Sequence, residues 1–368
     1  MTKTLTRKIA YRKLQEFFQE KPMVLFGTGT SCALDTKFGM QALKDYLFTE
    51  VPKLTLSNHQ VKEWKTVKNA LNSNNDFESA MDTVKDEQLL QLLTQTTADL
   101  LISLDQNHAT ALLMGNVSWP AIGLFKRLVD GLSETDRKLH VATPNYDLLA
   151  EYAFEQAGIP YITGFIGGVC RHIDWQQCER TVTYVEYIPR RSKVYKTPKL
   201  RKHIRLYKVH GSLNTFKLGN RTVENNAWMY QAPVKENIKR MMIMPGTSKH
   251  EQLHQNRTDL LGPFDDAVKN HSAFLFIGFG FNDSQIVNDA LKAKLKDKKC
   301  PGLIITRDSN KRIENWLKEC NNLWLVCKHQ DENNENARVF NRQYTDWLHL
   351  EDNQIWKTDE FTKEILGG

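Results

Sequence analysis

Short apolar runs recur along this chain, and most are followed by a stretch of helical periodicity. "MVLFG", "LHVATPN", "PYITG", "RLYKVHG", "AFLFIGFG", "GLIIT" and "LWLVC" read as strands, in that order. "YDLLAEYAFEQAG", "EQLHQNRTDLLGPFDDAVKNH", "DSQIVNDALKAKL" and "NKRIENWLKEC" read as helices among them. A run as continuously apolar as "MVLFG" suits a strand buried on both faces. Strands alternating with helices predict an α/β fold, a doubly wound parallel sheet covered on both sides.

One block breaks the alternation. From about residue 56 to 132 apolar residues recur at spacings of three and four, with Pro120 placed to begin a last helix. We therefore expect an all-helical subdomain, 50–132, inserted into an α/β domain made of 1–49 and 133–350. Residues 165–208 read as an irregular basic flap, and 351–368 as a C-terminal tail.

The first 22 residues read as a basic amphipathic helix ending at Pro22, without a signal core, and no apolar stretch approaches a membrane span. No membrane partner is expected. Six scattered cysteines form no C-x-x-C pair, so no metal is expected and a reducing cytoplasm is. The net charge of +7 is concentrated. Residues 190–208 hold nine Lys or Arg and no acid, which leaves the remainder at −2. Tyr195, His203 and Tyr207 interleave with those charges, so the segment reads either as a nucleic-acid contact or as a solvated flap facing an acidic partner. Trp119, Trp228 and Trp316 read as core or interface residues.

Ligands of a doubly wound sheet bind at the carboxyl ends of its strands. Four strands here end in unusual polar or glycine sequences. Gly27, Thr28, Gly29, Thr30 and Ser31 follow the first; the glycines fit a tight turn or a phosphate cradle, to which the hydroxyls add donors. Cys32 stands where a dinucleotide fingerprint has its third glycine, and "PGTSK" (245–249) only imitates the end of a P-loop. Asn145 and Asp147 in "TPNYD" fit a turn, a helix cap or a site. His210 in "VHGS" fits a structural or a catalytic role. Gly278, Phe279, Gly280, Asn282 and Asp283 in "GFGFND" fit a ligand approach or a helix cap.

Together, "GTGTS", "TPNYDLLAE", "VHGS" and "GFGFND" resemble the sirtuin-like NAD-consuming proteins, in particular the bacterial anti-phage branch whose members work with HerA-type ATPases. The resemblance spans about residues 23–310. It implies a Rossmann-like sheet and NAD⁺ as substrate. It assigns the phosphates to Gly27, Thr28, Gly29 and Ser31, the nicotinamide ribose to Asn145 and Asp147, catalysis to His210, and the adenosine side to Gly278. Two departures stand out: the four-cysteine zinc module of the family's deacetylases is missing, and Pro144 replaces a more usual polar residue. The first favours NAD⁺ hydrolysis over protein deacylation or ADP-ribosyl transfer. A non-catalytic NAD⁺ or ADP-ribose sensor is the further alternative. A homo-oligomer is expected, with the helical block and the N-terminal helix as assembly surfaces.

Overall fold

In the computed structural model, residues 4–73, 80–81, 83–190, 193–230, 238–242, 257–283, 285–331 and 333–367 are described. In chain order the strands are β1 (Met23–Phe26), β2 (Lys138–Thr143), β3 (Tyr161–Ile162), β4 (Phe165–Gly167), β5 (Arg171–Ile173) and β6 (Thr183–Arg190). They continue as β7 (Lys193–Leu200), β8 (His203–Lys208), β9 (Gly211–Leu218), β10 (Arg221–Glu224) and β11 (Ile238–Met242). The last are β12 (Phe274–Ile277), β13 (Gly302–Ile305), β14 (Leu323–Lys328), β15 (Ala337–Asn341) and β16 (Leu348–His349).

Among the described residues, nine strands form one sheet in the order β16-β15-β14-β13-β12-β1-β2-β8-β3. Pairing is parallel from β14 to β3, and β15 and β16 extend one edge antiparallel. This is the mixed α/β, Rossmann-like architecture that the alternating pattern predicts. Every residue of β1 and β12 is buried. Val24, Phe26, Leu275 and Ile277 enter the core on one face, and Met23, Leu25, Phe274 and Phe276 that on the other. Alternate side chains point to opposite faces, so a strand covered twice must be apolar throughout. After β1 the chain adds β2, β3 and β8 on one side, with β8 lying between β2 and β3. It then returns to β12 and builds the opposite way. The order reverses between β1 and β12, which makes the crevice beyond Phe26 and Ile277 the switch point where such sheets hold ligands.

The helical block has a core of its own, drawn from Leu43 to Leu93 and including Trp64, Val67 and Met81. The helix Glu87–Leu113 joins it to the sheet: Leu89 and Leu93 lie in the helical core, whereas Ala98, Leu101, Leu104 and Leu112 lie in the sheet's core. Asp86 caps this helix at the amide of Leu89.

Several expectations change. The described residues of 165–208 are not irregular; they hold β4, β5, the helix Trp175–Thr181, the paired strands β6 and β7, and all of β8. A second, antiparallel sheet, β11-β9-β10-β5-β4, has no counterpart in the sequence reading. Its strand β9 buries Ser212, Asn214 and Thr215 beside Leu213 and Phe216, so no clean alternation marks it. The helix expected at "DSQIVNDALKAKL" starts at Asp289, because Asp283 caps a turn at Gln285 and Ile286 and Asn288 takes the helix cap. The helix after "TPNYD" starts at Leu149, and that after Pro120 at Ile122. The C-terminal tail contains the helix Thr358–Leu366, with Phe361 and Ile365 in the core. The N-terminal helix Arg7–Phe17 turns Ala10, Leu14 and Phe17 into the same core, so its apolar face is covered within the chain rather than offered for assembly. "PGTSK" and residues 251–256 of an expected helix lie outside the described residues. Trp119 and Trp316 are core residues, and Trp228 packs edge-on against Phe216.

Candidate active site at the switch point

The first glycine turn is crowded by protein backbone. A β-carbon on Gly27 would meet the Gly278 carbonyl oxygen at 2.7 Å, and one on Gly29 would meet Gly278 Cα at 2.7 Å. Gly278 has φ +54°, and its own β-carbon would meet Gly29 at 2.8 Å. The two glycine turns are therefore glycine because of each other. Their amides are also committed: Gly27 N donates to Ile277 O, Gly29 N to Gly278 O and Thr30 N to Gly27 O. The Thr30 hydroxyl donates to Gly27 O at 2.9 Å. Sequence reasoning offered these groups to a phosphate; the structure spends them on holding the loops together. Thr28 keeps a partly exposed side chain at the turn. The helix that follows, Gly29–Cys32, is a single turn, so it adds little macrodipole.

Ser31 joins this turn to the end of β2. The Asn145 amide Nδ2 donates to Ser31 Oγ at 3.0 Å, and Ser31 Oγ donates to Asp147 Oδ2 at 2.8 Å. A carboxylate only accepts, so the serine proton goes to Asp147 and the serine lone pair to Asn145. That order fixes the amide and leaves Asn145 Oδ1 buried without a hydrogen-bond partner among the described residues. Asp147 Oδ1 accepts a long bond from Leu149 N at 3.4 Å. Both carboxylate oxygens of Asp147 thus face protein donors.

His210 stands where β8 leaves the main sheet and β9 enters the second. Gly211 makes the junction at φ +74°, with Met241 O where a β-carbon would lie. His210 Nε2 lies 3.0 Å from Asp283 Oδ2. The carboxylate is close enough for an ion pair but off the line of an imidazole N–H, and Nε2 makes no hydrogen bond among the described residues. Asp283 is held by the amides of Gln285 and Ile286 at its Oδ1. The fourth strand end is thereby tied to the third.

The remaining "GFGFND" residues divide by role. Phe279 is buried, packed on Phe276 and Phe281. Gly280 O accepts from Asn310 Nδ2, and Asn282 O from Arg312. Phe281 has φ +58°, an uncommon backbone for an aromatic residue and a mark of a constrained turn.

Residues 139–325, just over half of the chain, match the family model of the SIR2-like domain. The chain belongs to the SIR2-like family. Membership carries NAD-dependent chemistry in general. No curated protein matches the chain.

Three supports of this SIR2-like site were not read from the sequence. Lys208, buried on β8, donates to the Asp147 carbonyl at 2.5 Å and lies 3.1 Å from Glu151 Oε1. Asp105, in the middle of the helix Glu87–Leu113, accepts from Leu148 N and from the Tyr152 hydroxyl, both at 2.7 Å. Burial pushes the Asp105 carboxyl up to about 7 and also raises that of Glu151, against the pull of Lys208. Trp119 Nε1 donates to Thr30 O at 3.2 Å. A lysine two residues before the histidine was a readable signal for Lys208. Asp105 lies in regular helical sequence and Trp119 in the loop before the helix Ile122–Asp130, both far from any motif. Among the described residues no group of His, Cys, Asp and Glu could hold a metal ion, no cysteine is in a disulfide, and no helix is long and apolar enough to cross a membrane.

Proposed function

We propose that this chain hydrolyses NAD⁺ at the nicotinamide–ribose bond, consuming water and yielding nicotinamide, ADP-ribose and a proton. The observation that carries the reading is a pair of buried polar atoms, Asn145 Oδ1 and His210 Nε2, which find no hydrogen bond in the described protein. A buried acceptor left unmade costs about 1–3 kcal/mol, so a ligand that donates to Asn145 Oδ1 gains that energy on binding, while His210 Nε2 keeps Asp283 Oδ2 as its neighbour at 3.0 Å. Both belong to loops at the switch point, beside the paired glycine turns.

Bound NAD⁺ supplies a glycosidic bond whose leaving group departs neutral, while positive charge builds on the ribose. Asn145 Oδ1 accepts from a ribose hydroxyl or from the attacking water, its direction set by Ser31 and Asp147. His210 takes the proton of that hydroxyl or water. Asp283 stabilises the resulting imidazolium. Thr28 meets the diphosphate at the mouth of the glycine turn. Lys208 and Asp105 fix the Asn145–Leu148 loop from beneath.

The same reading places the chain in cytoplasmic anti-phage defence by NAD⁺ depletion, as a homo-oligomer with a HerA-type ATPase partner. It rests on the joint order of the four motifs. Leu113, Met114 and Val117, exposed at the end of the long helix, offer an apolar surface for assembly.

His210→Ala and Asn145→Ala each lower nicotinamide release by about 10²–10⁴, with an unchanged thermal midpoint. Liquid chromatography of NAD⁺, nicotinamide and ADP-ribose measures it, for the purified chain alone and with the ATPase. Release that needs an acylated peptide or an acceptor protein would assign the site to transfer instead; tight binding without release would assign it to sensing.

A further inference from the structure

Six of the chain's seven net positive charges fall within one short stretch of sequence, residues 183–202. Residues 183–202 contain seven Lys or Arg and one Glu, against a net charge of +7 for the chain. Among the described residues their strands, β6 and β7, pair with each other and with no other strand. The ribbon is fastened at its base. Arg137 donates to the Leu200 carbonyl and the Tyr184 hydroxyl, Arg201 N donates to Val182 O, and Lys199 pairs with Glu186. Farther out, Val185, Tyr187, Val194 and Tyr195 are exposed among the described residues. The register sets Tyr187 opposite Lys196 and Ile188 opposite Tyr195, with Arg190 opposite Lys193 at the far end. Tyr187 (61% exposed) and Tyr195 (51%) therefore project from opposite faces. Lys196 lies on the first face, and Lys193 and Lys199 on the second.

We propose that this ribbon binds the duplex of a nucleic acid, entering the major groove and contacting phosphates on both sides. The groove is about 12 Å wide and admits a two-stranded β-ribbon. Eight residues at about 3.4 Å each give a reach of about 27 Å, enough to cross it. Cations and tyrosines on both faces suit a groove, which presents phosphates to both sides of what enters it. A single strand would lie along one face and need its cations and stacking rings gathered there. Strand addition by a protein partner is opposed by Pro189 and Pro198, one in each strand, which offer no N–H to an added edge. A second copy of the ribbon stacked on this one would bring two strongly positive surfaces together. Only Glu186 among these residues is acidic, and Lys199 takes it. Lys193 and Lys196 have no carboxylate partner among the described residues. The contacts are to the backbone, so binding is independent of base sequence.

Fluorescence anisotropy of the full chain with a labelled duplex of about 20 base pairs, its isolated strand and poly-glutamate tests the proposal, over roughly 50–200 mM salt. We expect the duplex to bind best. The double variant Lys193→Glu/Lys196→Glu should bind it at least about tenfold more weakly. The slope of log K against log salt should become shallower by about two. The ribbon holds no residue of the switch-point site, so thermal midpoint and NAD⁺ turnover should match wild type and report intact folding. Duplex affinity unchanged in the variant, no duplex binding at the lowest salt, preference for the single strand, or poly-glutamate bound as tightly as duplex would each overturn the proposal.

Discussion

Gly278 carries two constraints at once. Its φ of +54° lies where a β-carbon is disfavoured, and Gly29 backbone atoms stand 2.8 Å from where that carbon would be. Neither neighbour is a side-chain end that can swing away. Gly280, two residues on, has neither problem: the nearest atom to its β-carbon is Asn282 Nδ2 at 3.3 Å. Gly278→Ala should therefore lower the free energy of unfolding by about 1–3 kcal/mol, and Gly280→Ala should change it by less than about 0.5 kcal/mol. Urea titration of the two variants beside wild type measures the contrast. Equal effects would mean that the G-x-G pair is not read by the backbone of the first turn. The sequence marked the glycines but left open what crowds them, because a close approach depends on a partner some 250 residues away.

At the scale of elements, the helix Glu87–Leu113 connects the helical block to the site through Asp105. Burial pushes this carboxyl up to about 7, while the Leu148 amide and the Tyr152 hydroxyl pull it down. The folded protein thus keeps a proton that the unfolded chain releases near its ordinary value of 3.8. This contribution to stability is complete below that value and is lost as pH rises through about 7. Asp105→Asn keeps an acceptor for Leu148 N but cannot titrate, so the fall in urea midpoint between about pH 5 and about pH 8 should be smaller in the variant. Glu224, also raised to about 7 by burial, retains its own share in both proteins. An equal fall in variant and wild type would remove Asp105 from the account. The same contrast explains what the sequence made legible. β1, β12, β13 and β14 are buried on both faces and announce themselves as unbroken apolar runs. Asp283 lies beyond β12, and Asn145 and His210 lie beyond β2 and β8, which also read as strands. β9 and the β6–β7 ribbon do not announce themselves, since one buries polar side chains and the other exposes apolar ones. Asp105 acts across 43 residues of sequence, and periodicity carries no information on such a contact.

For the whole molecule, the two ends of the chain close one side of the sheet. Gln15 Nε2 donates to the Ile365 carbonyl at 2.9 Å, Phe18 stacks near Phe361 at 5.9 Å, and both terminal helices feed the core that includes Val24 and Phe26 of β1. Phe361 is fully buried. Truncating it to alanine removes a large buried apolar surface and leaves a cavity, at a cost of about 3–5 kcal/mol. The switch-point loops lie beyond the carboxyl ends of β1 and β12, whereas the N-terminal helix leads through Pro22 into the amino end of β1. Stability and chemistry are thus assigned to opposite ends of the same strands. Phe361→Ala should lower the thermal midpoint steeply, yet release nicotinamide at the wild-type rate per folded molecule well below that midpoint. Calorimetry and the product assay on one preparation separate the two readouts. A turnover that fell together with the midpoint, in protein shown to be folded, would mean that the terminal helices reach the site through the sheet.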